Sequence, residues 1–149
     1  MVAIIVAGHG RIAAGMVEAA KMIFGGKPSL EAITFENKEG IEDLKRHYQS
    51  ALVKFMPEKE ILFLIDIFGG SPYNAAIQLA YGKKGIEVLT GVNLPLLLEA
   101  LSLQNQPGIT VKQLAEHLKK YSQQSFKIFS EEVRKTEISR QNQVEDDLS

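Results

Sequence analysis

Residues 2–15 read VAIIVAGHGRIAAG, and this stretch decides the fold class. A continuous apolar run such as residues 2–7 is typical of a strand that is covered on both faces of a parallel sheet. The run ends at His9, which lies between two glycines, and a helical pattern begins at Ala13. His9 is therefore predicted at the carboxyl edge of a sheet, which is where open α/β folds place their chemistry.

The same alternation of strand and helix repeats along the chain. Apolar periodicity predicts strands over residues 2–7, 30–35, 61–68 and 86–89, and helices over residues 13–24, 41–55, 72–81, 95–103 and 111–121. Strands that alternate with helices form βαβ units. We therefore expect an α/β fold, namely an open, doubly wound sheet of four parallel strands with helices on both faces, in one domain over residues 1–129.

The composition excludes several classes of protein. The chain has 149 residues, of which 45% are hydrophobic and 23% charged, and its net charge is −1. Such a balance is typical of a globular domain and offers no basic field for nucleic acid or a membrane surface. The absence of cysteine excludes disulfides and thiolate chemistry. The three histidines lack the close spacing of metal ligands, so neither a metal nor a cofactor is expected.

The location is predicted from the same sequence. No apolar run approaches the roughly 20 residues that a membrane span needs. The first residues also lack the positive segment and the longer apolar core of a signal peptide. A cytoplasmic protein is expected.

Asp66 is the one acid in the strongly apolar segment ILFLIDIF, residues 61–68. Burial of a carboxylate is costly unless a partner compensates it. Asp66 and His9 both fall near the carboxyl ends of predicted strands, so the carboxylate could accept the Nδ1 hydrogen of the imidazole and leave Nε2 free to attack. Capping of a loop backbone by Asp66 is the alternative, and this pattern alone does not separate the two interpretations.

The sequence Gly69-Gly70-Ser71-Pro72 follows that strand directly. Ser71 is a favourable N-cap, and Pro72 is a favourable first helical residue. Two glycines before a helix let backbone N–H groups converge on an anion, which the helix dipole also attracts. A plain strand-to-helix turn is the simpler interpretation. Together with His9, however, this arrangement favours a phosphoryl relay on histidine over hydrolysis, because the sequence has neither a serine elbow nor a Walker lysine.

Three motifs in this chain resemble one known family. GHG at residues 8–10, LIDIFGGSPYNAA at residues 64–76 and GVNLPLLLEAL at residues 91–101 are similar, in the same order, to the EIIA component of the mannose-type (mannose/fructose/sorbose) sugar phosphotransferase system. Over about residues 2–129 the resemblance is collinear. One departure is Gly8, where mannose-specific members carry threonine. No EIIB domain follows in the sequence, so a free-standing EIIA is expected.

The resemblance implies a function and its residues. His9 would be the phosphorylated histidine of a phosphotransferase, receiving phosphoryl from HPr and passing it to an EIIB subunit, with the membrane subunits EIIC and EIID involved only indirectly. Asp66 would hydrogen-bond His9, and Gly70 and Ser71, with Gly69 in the same turn, would hold the phosphoryl oxygens.

The surface that meets HPr and EIIB is expected around His9. Brief complexes need an exposed and partly apolar face, for which Arg11, Ile12, Phe68 and Leu94 are the candidates.

Two other functions fit part of the sequence. Gly8-x-Gly10-x-x-Ala13 after a strand satisfies a relaxed dinucleotide-binding fingerprint, with Glu36 as the ribose-binding acid. This alternative leaves Asp66 and the turn after it unexplained. The phosphocarrier subunit of the dihydroxyacetone kinase system also uses a histidine after its first strand, but FGGSPYNAA and GVNLP favour the sugar-transport branch.

The carboxyl-terminal part of the sequence favours a homodimer. Residues 126–129, FKIF, alternate as a short edge strand does, whereas residues 130–149 are polar and predict a flexible tail. A four-stranded sheet has open edges that invite pairing. A homodimer in which residues 126–129 pair with the partner's sheet would cover one edge, and the resemblance implies such an antiparallel, exchanged strand. A monomer in which the segment folds back on its own sheet is the alternative.

Overall fold

The computed structural model describes residues 1–148 and contains a four-stranded, wholly parallel sheet. The strands, in the spatial order β2-β1-β3-β4, are β1 Val2–His9, β2 Leu30–Phe35, β3 Glu60–Ile65 and β4 Ile86–Thr90. The helices are α1 Ile12–Phe24, α2 Ile41–Phe55, α3 Ser71–Ala80, α4 Leu94–Leu103, α5 Val111–Tyr121 and α6 Phe129–Leu148. A single 3₁₀ turn, Ser122–Gln124, follows α5. The predicted α/β class and its four parallel strands are confirmed.

The sheet separates two hydrophobic cores, and alternate residues of β1 point into each. Val2, Ile4 and Val6 contribute to a core that also contains buried side chains of α1, α4 and α5. Ala3 and Ile5 contribute to the opposite core, with buried side chains of α2 and α3. Burial on both faces explains why the central strands are continuous apolar runs.

The strand order creates a crevice at the carboxyl edge of the sheet. β1 pairs with β2 on one side and with β3 on the other, and the helices that follow β1 and β2 cover opposite faces. The register places His9 opposite Phe35 and Ala7 opposite Ile65. His9 and the residue that follows β3 therefore lie at the same edge, next to the point between β1 and β3 where the strand order reverses and ligands bind in such folds.

Several element boundaries around this edge differ from the predictions, and β1 extends to His9 rather than ending at residue 7. β3 ends at Ile65 rather than at residue 68, because Asp66 uses its side chain in the loop that follows. Ser71 was predicted as the N-cap of α3, but the cap is Gly70, whose backbone is extended, and Ser71 is the first helical residue. Pro72 is consequently the second residue of the helix.

The carboxyl-terminal segment also differs from its prediction. Residues 126–128 belong to no strand, and Phe129 begins α6, so the predicted strand over residues 126–129 is not present in this chain. A strand gains stability from a neighbour that pairs with it, and this segment pairs with neither edge strand of its own sheet, β2 or β4. The polar residues that follow form α6, and none of the residues of α6 is buried.

None of the helices in the described chain combines the length and the apolarity that crossing a membrane requires.

Candidate active site

His9 and Asp66 form the centre of the site. His9 is the last residue of β1, and its side chain is 46% exposed, whereas the side chain of Asp66 is only 10% exposed. The distance between His9 Nδ1 and Asp66 Oδ2 is 2.8 Å, so the expected hydrogen bond between the two side chains is present. His9 at the end of β1 and Asp66 directly after the neighbouring strand β3 are thereby brought together.

Three N–H groups hold the carboxylate of Asp66. Its Oδ2 also accepts from the backbone N–H of His9 at 2.9 Å, and its Oδ1 accepts from the backbone N–H of Ile67 at 2.9 Å. Burial acts to raise the pKa of Asp66, but the hydrogen bonds from His9 and Ile67 outweigh it, and the pKa lies below its ordinary value. Asp66 is therefore ionised at neutral pH. Asp66 is at once the cap of a loop and the partner of His9, so both interpretations of this residue hold.

The hydrogen bond fixes the tautomer of His9. A carboxylate can only accept, so the hydrogen of a neutral imidazole resides on Nδ1. The Nε2 atom then carries a free lone pair and lies on the side of the ring next to Gly70. This is the arrangement that a nucleophilic imidazole needs.

The imidazole of His9 leaves no room for a side chain at residue 70. A Cβ atom on residue 70 would lie 2.7 Å from His9 Cε1 and 3.2 Å from His9 Nε2. The backbone of Gly70, with a φ of −81°, would accept any residue. Gly69 differs, because its φ of 87° lies in the left-handed region that favours glycine. The two adjacent glycines therefore serve different purposes, a close contact at Gly70 and a turn at Gly69.

The amino terminus of α3 lies next to the free nitrogen, since Gly70 is both its cap and the neighbour of Nε2. The first turn contains no acidic residue, and its N–H groups and dipole attract an anion. The hydroxyl of Tyr48 donates to the carbonyl of Pro72 at 3.0 Å and holds the start of the helix from the core side. Burial, and secondarily the charge of Asp66, raise the pKa of Tyr48 well above its ordinary value.

Gly8 provides the room that Asp66 and Ile12 occupy. A Cβ atom on residue 8 would lie 2.6 Å from Ile12 Cγ2 and 2.9 Å from Asp66 Cγ. The sequence analysis noted Gly8 only as a departure from mannose-specific relatives. The structure adds that a side chain at this position would displace its neighbours.

Known proteins of one family resemble this chain over most of its length. The model of the family described as "PTS system fructose IIA component" matches residues 3–119. The fructose-specific EIIA component of Bacillus subtilis (strain 168) is 42% identical over 148 residues, which cover 99% of this chain and 100% of that protein. The sorbose-specific EIIA component of Lacticaseibacillus casei is 36% identical over 132 residues, covering 87% and 92%. A solved EIIA structure from Streptococcus agalactiae has a TM-score of 0.76 at 30% identity, covering 87% of this chain and 98% of that one.

The chain belongs to the mannose-type EIIA family.

This EIIA is thus a phosphocarrier of a sugar phosphotransferase system. The comparisons favour neither the dihydroxyacetone kinase system nor a dinucleotide-binding module. Glu36, the ribose-binding acid of the second alternative, pairs instead with Arg11, at 3.6 Å between Oε1 and Nη1. Within residues 1–148, no group of three or more His, Asp and Glu side chains could hold a metal ion.

The four candidate partner residues of this EIIA differ in exposure. Arg11 and Ile12 are exposed beside His9, and Phe68 is 75% exposed with its ring 4.7 Å from that of Tyr73. Leu94 is only half-exposed, because it packs against the core that α4 and α5 share. Three of the four therefore lie open at the sheet edge.

The close contact at residue 70 can be tested with a methyl group. Gly70→Ala is expected to displace the imidazole and to lower the free energy of unfolding by about 1–3 kcal/mol through overpacking. Urea unfolding measures the loss, and ¹⁵N NMR of the His9 ring measures the displacement. Gly69→Ala is the matched control, because it strains the backbone without contacting His9. Unchanged ring signals in Gly70→Ala would contradict the assigned contact.

The lowered pKa of Asp66 predicts a dependence of stability on pH. Asp66 stabilises the fold above its unfolded pKa of about 4, and this contribution disappears as the pH falls through the lower folded pKa. Asp66→Asn should therefore lose about 2–3 kcal/mol near neutral pH, and the difference from the parent should shrink near pH 3. Urea unfolding at both pH values measures it, with exposed Glu116→Gln as the control. An equal difference at both pH values contradicts the prediction.

Proposed function

We propose that this EIIA accepts phosphoryl on His9 Nε2 from phospho-HPr and passes it to an EIIB subunit. The observation that carries the proposal is the 2.8 Å hydrogen bond from His9 Nδ1 to Asp66, which directs the lone pair of Nε2 outward. Family membership supports a role among phosphotransferase components of this kind.

The transfer follows from the positions of the groups. The lone pair of Nε2 attacks phosphorus, and the bond between phosphorus and HPr breaks with its electron pair remaining on HPr. The imidazole becomes positively charged, while its Nδ1 hydrogen stays in the hydrogen bond to Asp66. The carboxylate stabilises that charge, as orienting carboxylates do in histidine catalysis. In the second transfer, EIIB attacks the same phosphorus and the electron pair returns to Nε2.

The turn before α3 is the proposed cradle for the phosphoryl oxygens. Gly69, Gly70 and Ser71 lie at the amino terminus of a helix whose cap adjoins Nε2. Backbone N–H groups in such a position bind anions without a charged side chain. The cradle therefore stabilises the phosphoryl group while leaving it reachable by the next acceptor.

HPr and EIIB are proposed to use the same face in turn, because both must reach Nε2. Arg11, Ile12 and Phe68 supply its exposed charge and apolar surface, with Leu94 at its margin. The membrane subunits EIIC and EIID then take part only through EIIB. The proposed location of the chain, beside these partners, is the cytoplasm.

The phosphorylated residue can be identified by substitution. Incubation with labelled phosphoenolpyruvate, enzyme I and HPr should place acid-labile phosphate on the parent chain and none on His9→Gln. The controls are His47→Gln and His117→Gln, because these histidines bind Glu39 and Glu99, at 2.8 and 2.9 Å, away from the cradle. Acid-labile label that persists on His9→Gln would refute the assignment.

We further propose a homodimer in which residues 126–129 of each chain pair with the edge of the partner's sheet. Phe126, Ile128 and Phe129 are 77%, 59% and 83% exposed, and β4 is an edge strand. Exposed apolar side chains and an open edge of this kind suit each other. The domain would then extend to residue 129, with residues 130–149 as an appendage.

Two truncations test this assembly by light scattering. A chain ending at Ser122 is expected to be a monomer, whereas a chain ending at Phe129 keeps the pairing segment and should remain a dimer, as should the full chain. Comparing the two truncated chains separates the effect of residues 126–129 from the effect of the rest of α6. A monomeric full-length chain at micromolar concentration, or a dimer that survives truncation at Ser122, contradicts the exchange.

A further inference from the structure

We infer that Phe35 is a positioning residue for His9, holding the plane of the imidazole so that Nε2 stays directed at the cradle. The inference rests on the proposed function of His9 and adds a residue that the sequence analysis assigned only to a strand. It concerns the side chain of Phe35 and not its backbone.

The rings of Phe35 and His9 are in direct contact. Their centroids lie 5.9 Å apart, and their planes form an angle of 68°, which is an edge-to-face arrangement. This is within the distance and geometry that aromatic pairs prefer. The contact joins the end of β2 to the end of β1, where the register places the two residues opposite each other.

His9 needs a second restraint because the first leaves the ring free to rock. Nearly half of its side chain is exposed, so surrounding atoms do not enclose it. The hydrogen bond to Asp66 restrains the position of Nδ1, but small coupled changes of the His9 χ1 and χ2 angles that keep this bond still move Nε2. The backbone of Gly70 limits the ring near Cε1. Phe35 supplies a contact from a different strand, and together the three neighbours define the plane of the ring.

Phe35 is itself held firmly. Its side chain is half-buried and packs against the core that α2 and α3 share. Its backbone exchanges two hydrogen bonds with Gly10, from Gly10 N–H to the carbonyl of Phe35 at 2.7 Å and from Phe35 N–H to the carbonyl of Gly10 at 3.2 Å. The ring therefore transmits the rigidity of the core to the imidazole.

The backbone bridge makes the side chain separable from the fold. Hydrogen bonds between main-chain atoms of Gly10 and Phe35 do not depend on which side chain residue 35 carries. Leucine keeps an apolar side chain against the core but lacks the aromatic edge. Tyrosine keeps the ring. These two substitutions distinguish an oriented ring contact from simple packing.

The first measurement uses the unphosphorylated protein. In Phe35→Leu, the ¹⁵N signals of the His9 ring are expected to broaden and shift, because the ring samples more than one orientation. Phe35→Tyr should give signals close to those of the parent. Phe24→Leu is the control for the same substitution elsewhere, since Phe24 is 44% exposed and lies at the far end of α1. This readout does not require phosphoryl transfer, so it tests the inference even if the proposed function is wrong.

The second measurement is the single-turnover rate of transfer from phospho-HPr as a function of its concentration. Misplaced reacting groups slow the chemical step rather than docking. Phe35→Leu should lower the saturating rate about tenfold and change the half-saturating concentration less than about twofold, whereas Phe35→Tyr and Phe24→Leu should match the parent.

The outcomes separate the two hypotheses. A parent chain that takes no phosphoryl on His9 refutes the proposed function, and the ring signals then decide on Phe35 alone. A parent that is phosphorylated while Phe35→Leu keeps both the parental rate and the parental ring signals overturns the inference. Equal slowing in Phe35→Leu and Phe35→Tyr with unchanged ring signals also overturns it, because it shows that packing and not orientation is involved.

Discussion

The structure of the sheet edge depends on how one largely buried carboxylate is compensated. The side chain of Asp66 is only 10% exposed, and it remains charged because two backbone N–H groups and one imidazole donate to it. The same three bonds determine where β3 ends, which tautomer His9 adopts and which nitrogen is left to react. If the carboxylate were neutral or absent, the loop after β3 and the imidazole of His9 would both lose the hydrogen bonds that position them.

The parallel sheet makes this compensation possible. Neighbouring parallel strands end at the same edge of the sheet. His9 at the end of β1 and Asp66 directly after β3 therefore lie close together without any long connection. The hydrophobic cores on both faces hold the strands in place, and the residues at the carboxyl ends of these strands are therefore also held in place. Chemistry that relies on a few tenths of an ångström, such as the contact between Gly70 and the imidazole, needs a scaffold of this kind.

Strands and helices can be predicted where the physical cause of each one appears as a pattern in consecutive residues. The apolar runs of β1 and β3 report burial on two faces, and the lone acid of the second run reports a compensating partner, so the fold class and the pair His9–Asp66 followed from sequence. Contacts across the fold have no such signature. That Gly70 makes room for the ring, and that Phe35 contacts His9, depends on distances between strands rather than on spacing along the chain. The segment 126–129 shows the opposite limit, because its strand-like alternation does not say whether the segment pairs with a neighbouring strand, and in this chain it pairs with none.

The uneven distribution of free space around His9 bears on how such carriers can diversify. Position 70 is closed, because a single added carbon there would lie 2.7 Å from the imidazole of His9. Positions 11, 12 and 68 are open to solvent, and their side chains can vary in size and charge without touching the hydrogen bonds of Asp66. A lineage can thus acquire a new protein partner by changing the open positions while the reacting centre stays the same. The residues that recognise a partner can therefore change independently of the residues that react, although both sets lie on one small surface.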